Sequence, residues 1–433
     1  MPAMRTPTRL AAALLLALTA CGSDDPATAP IGQAGTSGAA GQGGAGHGGA
    51  GASGSSGKGG SSSGTSGHGG QSPAGAAGES GAGAGGSESG GAGGSAGEAG
   101  AGGAGAGGSD AGASGTAAGG SGGAAGSGGG ASTLDTTTPP DVELTVWQGK
   151  LSAAGGGGTI VVRLPKGATT KLPLVVFAHG FQLPVNGYDA TLTHIAKFGY
   201  VVASVDYTQN LFDQDHHAPV DAMKDAITLL TTSPPSAVGD VVDAARVASM
   251  GHSLGGKGAV WAALELPAVK AVVALDPVDD DPSSFGGGSS AKRPSLAPEK
   301  MASLAHPALY IGAQLSPTTT FGQACAPKAS SACAFAAATP ASVFARHTTL
   351  ADFGHMQFLD NSSCGFTCSA CAKGSPAAEE PGKQLTRAAT VAFLKAELDG
   401  DAAYAPYLDA LLTEASAKKV ALTEAAQTTF CMP

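Results

Sequence analysis

The chain has 433 residues, 70 of them Gly, and a formal net charge of −10. Mild acidity without a basic cluster gives no footing for nucleic acid or for an anionic membrane surface, so neither is an expected electrostatic partner. The glycine excess is concentrated between about residues 31 and 131, which leaves about 300 residues for folding, the size of one large α/β domain.

Residues 1–20 carry Arg5 and Arg9 and then the apolar run 10–18. A charged start followed by an apolar run too short to span a bilayer reads as a signal peptide. It ends Leu18-Thr19-Ala20-Cys21, which resembles the lipobox of bacterial lipoproteins. That resemblance implies lipidation of Cys21, and Gly22 and Ser23 in place of Asp imply the outer membrane or cell surface. Residues 21–133 are almost all Gly, Ala and Ser, a composition that cannot bury enough apolar surface to offset its ordering entropy. They are expected to be a disordered tether with an r.m.s. reach of about 55 Å. No Gly-X-Y period supports a collagen helix, and His47 and His68 stand too far apart to hold a metal.

The remainder, 134–433, alternates short apolar runs with segments of helical spacing. Strands are predicted at 159–164, 172–178, 201–207, 246–250, 270–275, 308–312 and 343–350. Helices are predicted at 188–198, 221–231, 258–266, 387–398 and 402–417, with long loops at 279–299 and 316–341. Buried strands separated by helices of crossover length argue for a mostly parallel, doubly wound α/β sheet.

Setting Cys21 aside, the cysteines are Cys325, Cys333, Cys364, Cys368, Cys371 and Cys431. An even set in an exported chain predicts up to three disulfides of open connectivity. Cys368-Ser-Ala-Cys371 has neither the second pair or nearby histidines that zinc needs nor a thioredoxin-like setting, so structural bridges are expected; the serine chemistry below requires no metal or organic cofactor.

The chemistry centres on Gly251-His252-Ser253-Leu254-Gly255, which joins a predicted strand to a predicted helix. In that setting Gly-x-Ser-x-Gly is a nucleophile elbow: a strained turn that lifts the Ser253 hydroxyl to the sheet edge. The Leu254 amide then faces a developing oxyanion, and the Phe181 amide, after His179-Gly180, supplies the second donor. His179 itself reads as a turn residue. An activated serine needs a base, and His306, His347 and His355 are the histidines downstream. His306 opens a strand and His347 lies inside one. His355 follows the last strand in a loop freed by Gly354, and is the predicted base. The segment after strand 308–312 holds no carboxylate until Asp352, whereas strand 270–275 ends directly in Asp276. Asp276 is the predicted acid; Asp279, Asp280 and Asp281 read as solvated charge or a cation site.

Phe177-Ala-His-Gly-Phe181, Asp206-Tyr207, Gly251-His-Ser253-Leu-Gly-Gly-Lys257, Leu275-Asp276-Pro-Val-Asp279 and Gly354-His355-Met-Gln-Phe-Leu-Asp360 together resemble the chlorophyllase branch of the α/β-hydrolases. The resemblance runs over about residues 174–398 and implies the α/β-hydrolase fold, with Ser253, Asp276 and His355 as triad. Secreted lipase-like and polyester-degrading hydrolases share these parts. The expected protein is a lipid-anchored, monomeric serine hydrolase of a small or polymeric carboxylic ester. A non-catalytic surface-displayed binding module, and an amidase or peptidase on the same triad, are the alternatives.

Overall fold

The central strands are unbroken apolar runs because both of their faces are covered. In β3 (Leu172–Ala178), Leu174, Val176 and Ala178 pack into one hydrophobic cluster and Val175 and Phe177 into the other. That alternation is the two-residue period of a strand buried on both sides. The structure, a computed structural model, describes residues 134–152, 158–208, 210, 213–279, 291–320, 324–362 and 366–432. The leader, Cys21, the tether, Asp280, Asp281 and Cys364 lie outside the described residues. Among the described residues no helix is long and apolar enough to cross a membrane.

The sheet is formed by β1 (Leu144–Lys150), β2 (Thr159–Pro165), β3, β4 (Val201–Val205), β5 (Val242–His252), β6 (Val269–Leu275), β7 (Ala308–Ala313) and β8 (Ala345–Leu350). Their order is β1-β2-β4-β3-β5-β6-β7-β8. β1 pairs with β2, and β2 with β4, antiparallel; every pair from β4 across to β8 is parallel. On one face pack α1 (Asp189–Lys197) through Leu192 and Ile195, α5 (Pro376–Glu397) through Val391 and Phe393, and α6 (Tyr404–Ala417) through Leu408. The other face takes α2 (Ala218–Thr232) through Met223 and Leu230, α3 (Leu254–Glu265) through Val260 and Trp261, and α4 (Ala332–Ala338) through Phe335. This is the doubly wound, mostly parallel sheet that the sequence predicts.

The strand β1 and the start of β5 at Val242 lie outside the predicted strands, and three helical differences have identifiable reasons. Helix α3 starts at Leu254 rather than 258: its three glycines are poor helix formers, but packing against the sheet overrides propensity. Helix α5 starts eleven residues before the predicted 387. Ser375 caps it by accepting from the Ala378 N–H, Pro376 occupies the first turn, and Gly382 lies where a Cβ would come within 2.5 Å of the Phe353 ring. The predicted loop 316–341 contains α4, capped by the Ser331 side chain. The short helix α7 (Glu424–Cys431) is fastened to α4 by the disulfide Cys333–Cys431, and Cys325 is joined to Cys371. Cys368 is also disulfide-bonded, so the Cys368-x-x-Cys371 pair is not closed on itself.

Candidate active site

Segments leaving the carboxyl ends of β3, β5, β6 and β8 converge at one edge of the sheet, where parallel α/β sheets place their sites. β5 ends at His252 and α3 begins at Leu254, so Ser253 alone makes the reversal, at φ 57° and ψ −122°. Such a conformation is strained for a residue with a Cβ and must be held by its surroundings. Two glycines make room for it. A Cβ at Gly251 would lie 2.1 Å from the Gly255 carbonyl oxygen, and one at Gly255 would lie 2.1 Å from that of Ala178. The Ser253 N–H donates to the Leu275 carbonyl at 3.0 Å, and its own carbonyl accepts from the Lys257 N–H at 3.0 Å in the first turn of α3.

The structure brings Ser253, His355 and Asp276 into one hydrogen-bonded chain. His355 Nε2 lies 3.0 Å from Ser253 Oγ, and Nδ1 lies 2.7 Å from Asp276 Oδ2. All three side chains are buried. An ionised carboxylate only accepts, so the proton of a neutral His355 sits on Nδ1 and Nε2 presents its lone pair to the Ser253 hydroxyl. Asp276 is itself fixed: Oδ1 accepts from the Ala313 N–H at 3.1 Å and Oδ2 from the Ser316 hydroxyl. Its backbone, at φ 39°, is held by an N–H to the Ile311 carbonyl at 2.7 Å.

Of the two residues expected to supply oxyanion donors, Leu254 directly follows Ser253 and Phe181 follows a glycine packed against it. Leu254 opens α3, where helix geometry leaves the first N–H groups without an intrahelical acceptor. Phe181 follows Gly180, whose backbone approaches so closely that a Cβ there would lie 3.2 Å from Ser253 Cβ. His179 is a turn residue: its Nδ1 donates to the Gly180 carbonyl at 2.7 Å, Nε2 lies 3.1 Å from Asp206, and the ring stacks on Tyr207 at 4.2 Å. Through that contact Asp206 is held below the usual carboxylate range.

Asp279 is neither solvated nor a cation site. It is buried and neutralised by Lys257 Nζ at 3.0 Å, and it accepts from the Leu296 and Ala297 N–H groups at 2.9 and 2.8 Å and from Ser295 Oγ at 2.8 Å. Lys257 also donates to His216 Nδ1 at 3.2 Å; burial, then the charges of Lys257 and Arg293, push that imidazole down to about 2. Cys333, Cys431 and His347 bring ligand atoms within 4.8 Å of one another, but the two sulfurs are bonded to each other rather than present as thiolates. Sequence reasoning missed Ser316. The β7 loop, searched for an acid, instead supplies the donors that fix one.

The chlorophyllase family model matches residues 144–429. Curated relatives include cutinase 1 of Thermobifida cellulosilytica, 32% identical over 30% of this chain and 47% of that protein, and a cutinase of Thermobifida fusca (strain YX), 32% identical over 30% and 41%. Cutinase est2 of Thermobifida alba is 37% identical over 19% of this chain and 27% of its own length. The chain thus spans less than half the length of these relatives.

Proposed function

The chain belongs to the chlorophyllase family, and from that premise we propose that it is a serine carboxylic-ester hydrolase acting through an acyl-enzyme. The hydrogen-bonded sequence Ser253–His355–Asp276 carries the reading. Ser253 Oγ attacks the ester carbonyl as His355 Nε2 takes its proton, and Asp276 stabilises the imidazolium that results. The Leu254 and Phe181 amides bind the tetrahedral oxyanion. His355 returns the proton to the leaving alcohol, and water then repeats the cycle on the acyl-serine.

The cutinase relatives support an ester substrate, small or polymeric. In this proposal the enzyme works outside the cell as a monomer, anchored by a lipid on Cys21 and free to search a surface on its Gly-rich tether. Ser253→Ala should reduce hydrolysis of p-nitrophenyl esters to background while leaving the melting temperature near wild type. A folded Ser253→Ala protein with undiminished turnover contradicts the mechanism. Cys21→Ser should release the protein from the membrane fraction; retention there contradicts the anchor.

A further inference from the structure

A second hydrogen-bonded chain lies directly behind the first. His252 Nε2 is 3.0 Å from the His355 carbonyl oxygen, its Nδ1 is 2.7 Å from the Tyr188 hydroxyl, and that hydroxyl accepts from the Gly180 N–H at 3.3 Å. We propose that Tyr188 and His252 are positioning residues that tie the oxyanion loop at Gly180–Phe181 to the backbone of the general base His355. The inference rests on the ester-hydrolase reading and adds to it how the donors and the base are held in register.

The direction of every bond follows from elementary chemistry. A carbonyl only accepts, so His252 Nε2 must carry a proton. Full burial and the neighbouring His355 ring, 4.6 Å away, push the His252 imidazole well below its ordinary range, so it is neutral and Nδ1 is a bare acceptor. The Tyr188 O–H therefore donates to Nδ1, and its oxygen is left to accept from Gly180. Burial raises the phenol, which keeps that O–H a donor.

Satisfying buried polar groups is by itself ordinary. What sets this chain apart is where its ends lie. One end is the amide immediately before Phe181; the other is the backbone of the residue that takes the serine proton. Tyr188 cannot drift, because its ring is fully buried and packs on Phe177 at 4.8 Å between centroids. A tilt at either end would displace an oxyanion donor or rotate the His355 ring, and a misplacement on the order of 1 Å costs about 100-fold in rate.

Steady-state kinetics on p-nitrophenyl acetate test the idea. Tyr188→Phe deletes one oxygen and should lower kcat about 10- to 100-fold with KM within about twofold. His252→Gln keeps a donor near the Nε2 position but loses the acceptor for Tyr188, and should show the same split. The double variant should be no worse than the weaker single, because one chain is broken once. Wild-type kcat in Tyr188→Phe, a KM rise at constant kcat, or losses that multiply in the double variant overturn the proposal. If Tyr188→Phe does not fold, His252→Gln alone carries the test: lowered kcat at constant KM supports it, and unchanged kcat overturns it. Ser253→Ala run in parallel separates the two levels. Turnover in Ser253→Ala refutes the nucleophile, whereas an inert Ser253→Ala beside a fully active Tyr188→Phe refutes only the positioning chain.

Discussion

Asp276→Asn changes one oxygen to an amide nitrogen, and the surroundings dictate which one. The Ala313 N–H needs an acceptor, so the remaining oxygen stays at the Oδ1 position, 3.1 Å away. The new amide group then takes the Oδ2 position, facing Ser316 Oγ and His355 Nδ1. Ser316 can turn its hydroxyl and accept. His355 can meet an N–H only by giving up the proton on Nδ1, which moves that proton to Nε2, where it points at Ser253 and the ring can no longer act as base. Loss of the correct tautomer in such a triad costs about 10⁴-fold in kcat, or about 5.5 kcal/mol of transition-state stabilisation. The shape is nearly unchanged, so the fold should persist. The assay is kcat and KM on a p-nitrophenyl ester at neutral pH, with circular dichroism as a control. A folded Asp276→Asn protein retaining more than about a tenth of wild-type kcat would show that the hydrogen bond to Asp276 does not set the base.

Other perturbations follow from the same geometry. Gly255→Ala places a Cβ 2.1 Å from the Ala178 carbonyl oxygen, so it should abolish soluble expression or the proposed activity, and a Gly255→Ala protein with undiminished expression and turnover would deny the close approach of α3 to β3. Lys257→Met leaves the buried Asp279 charge without its cation, at a cost of about 3–5 kcal/mol, and should lower Tm by on the order of 10 °C; an unchanged Tm counts against the pair. His216 and His347 are pushed down to about 2 and about 4, chiefly by burial, from the ordinary 6.5. Below about pH 6.5 the unfolded chain takes up these protons before the folded one, so each histidine costs stability progressively as pH falls from 6.5 towards 4. Thermal melts should give a lower Tm at pH 5 than at pH 7.5, and a flat or rising Tm over that interval contradicts the sign.

Much of the architecture was legible because strands buried on both faces leave unbroken apolar runs in the sequence, as from Leu174 to Ala178. The edge strand β1 was not, since Leu144–Lys150 is half exposed and polar-interrupted. The first half of α5 was hidden by Pro381 and Gly382, which break helices in isolation but are tolerated where Gly382 accommodates the Phe353 ring. At the site, Ser253, Asp276 and His355 could each be placed at the end of a strand, and the structure sets them side by side. Local pattern does not reveal partners contributed across long sequence separations. Ser316 reaches Asp276 across 40 residues and Tyr188 reaches His252 across 64, and neither spacing leaves a signature in the chain. Asp279 was misread for the same reason: its neutralising Lys257 comes from a different element.

The proposed mechanism rests on one claim: His355, oriented by Asp276, turns the Ser253 hydroxyl into a nucleophile. Fluorophosphonate labelling of the folded protein, followed by peptide mass spectrometry, is the sharpest probe of that chemistry. A single adduct is expected on Ser253, absent in Ser253→Ala and strongly slowed in Asp276→Asn. An adduct on any other serine, or labelling of Ser253 at full rate without Asp276, would refute it.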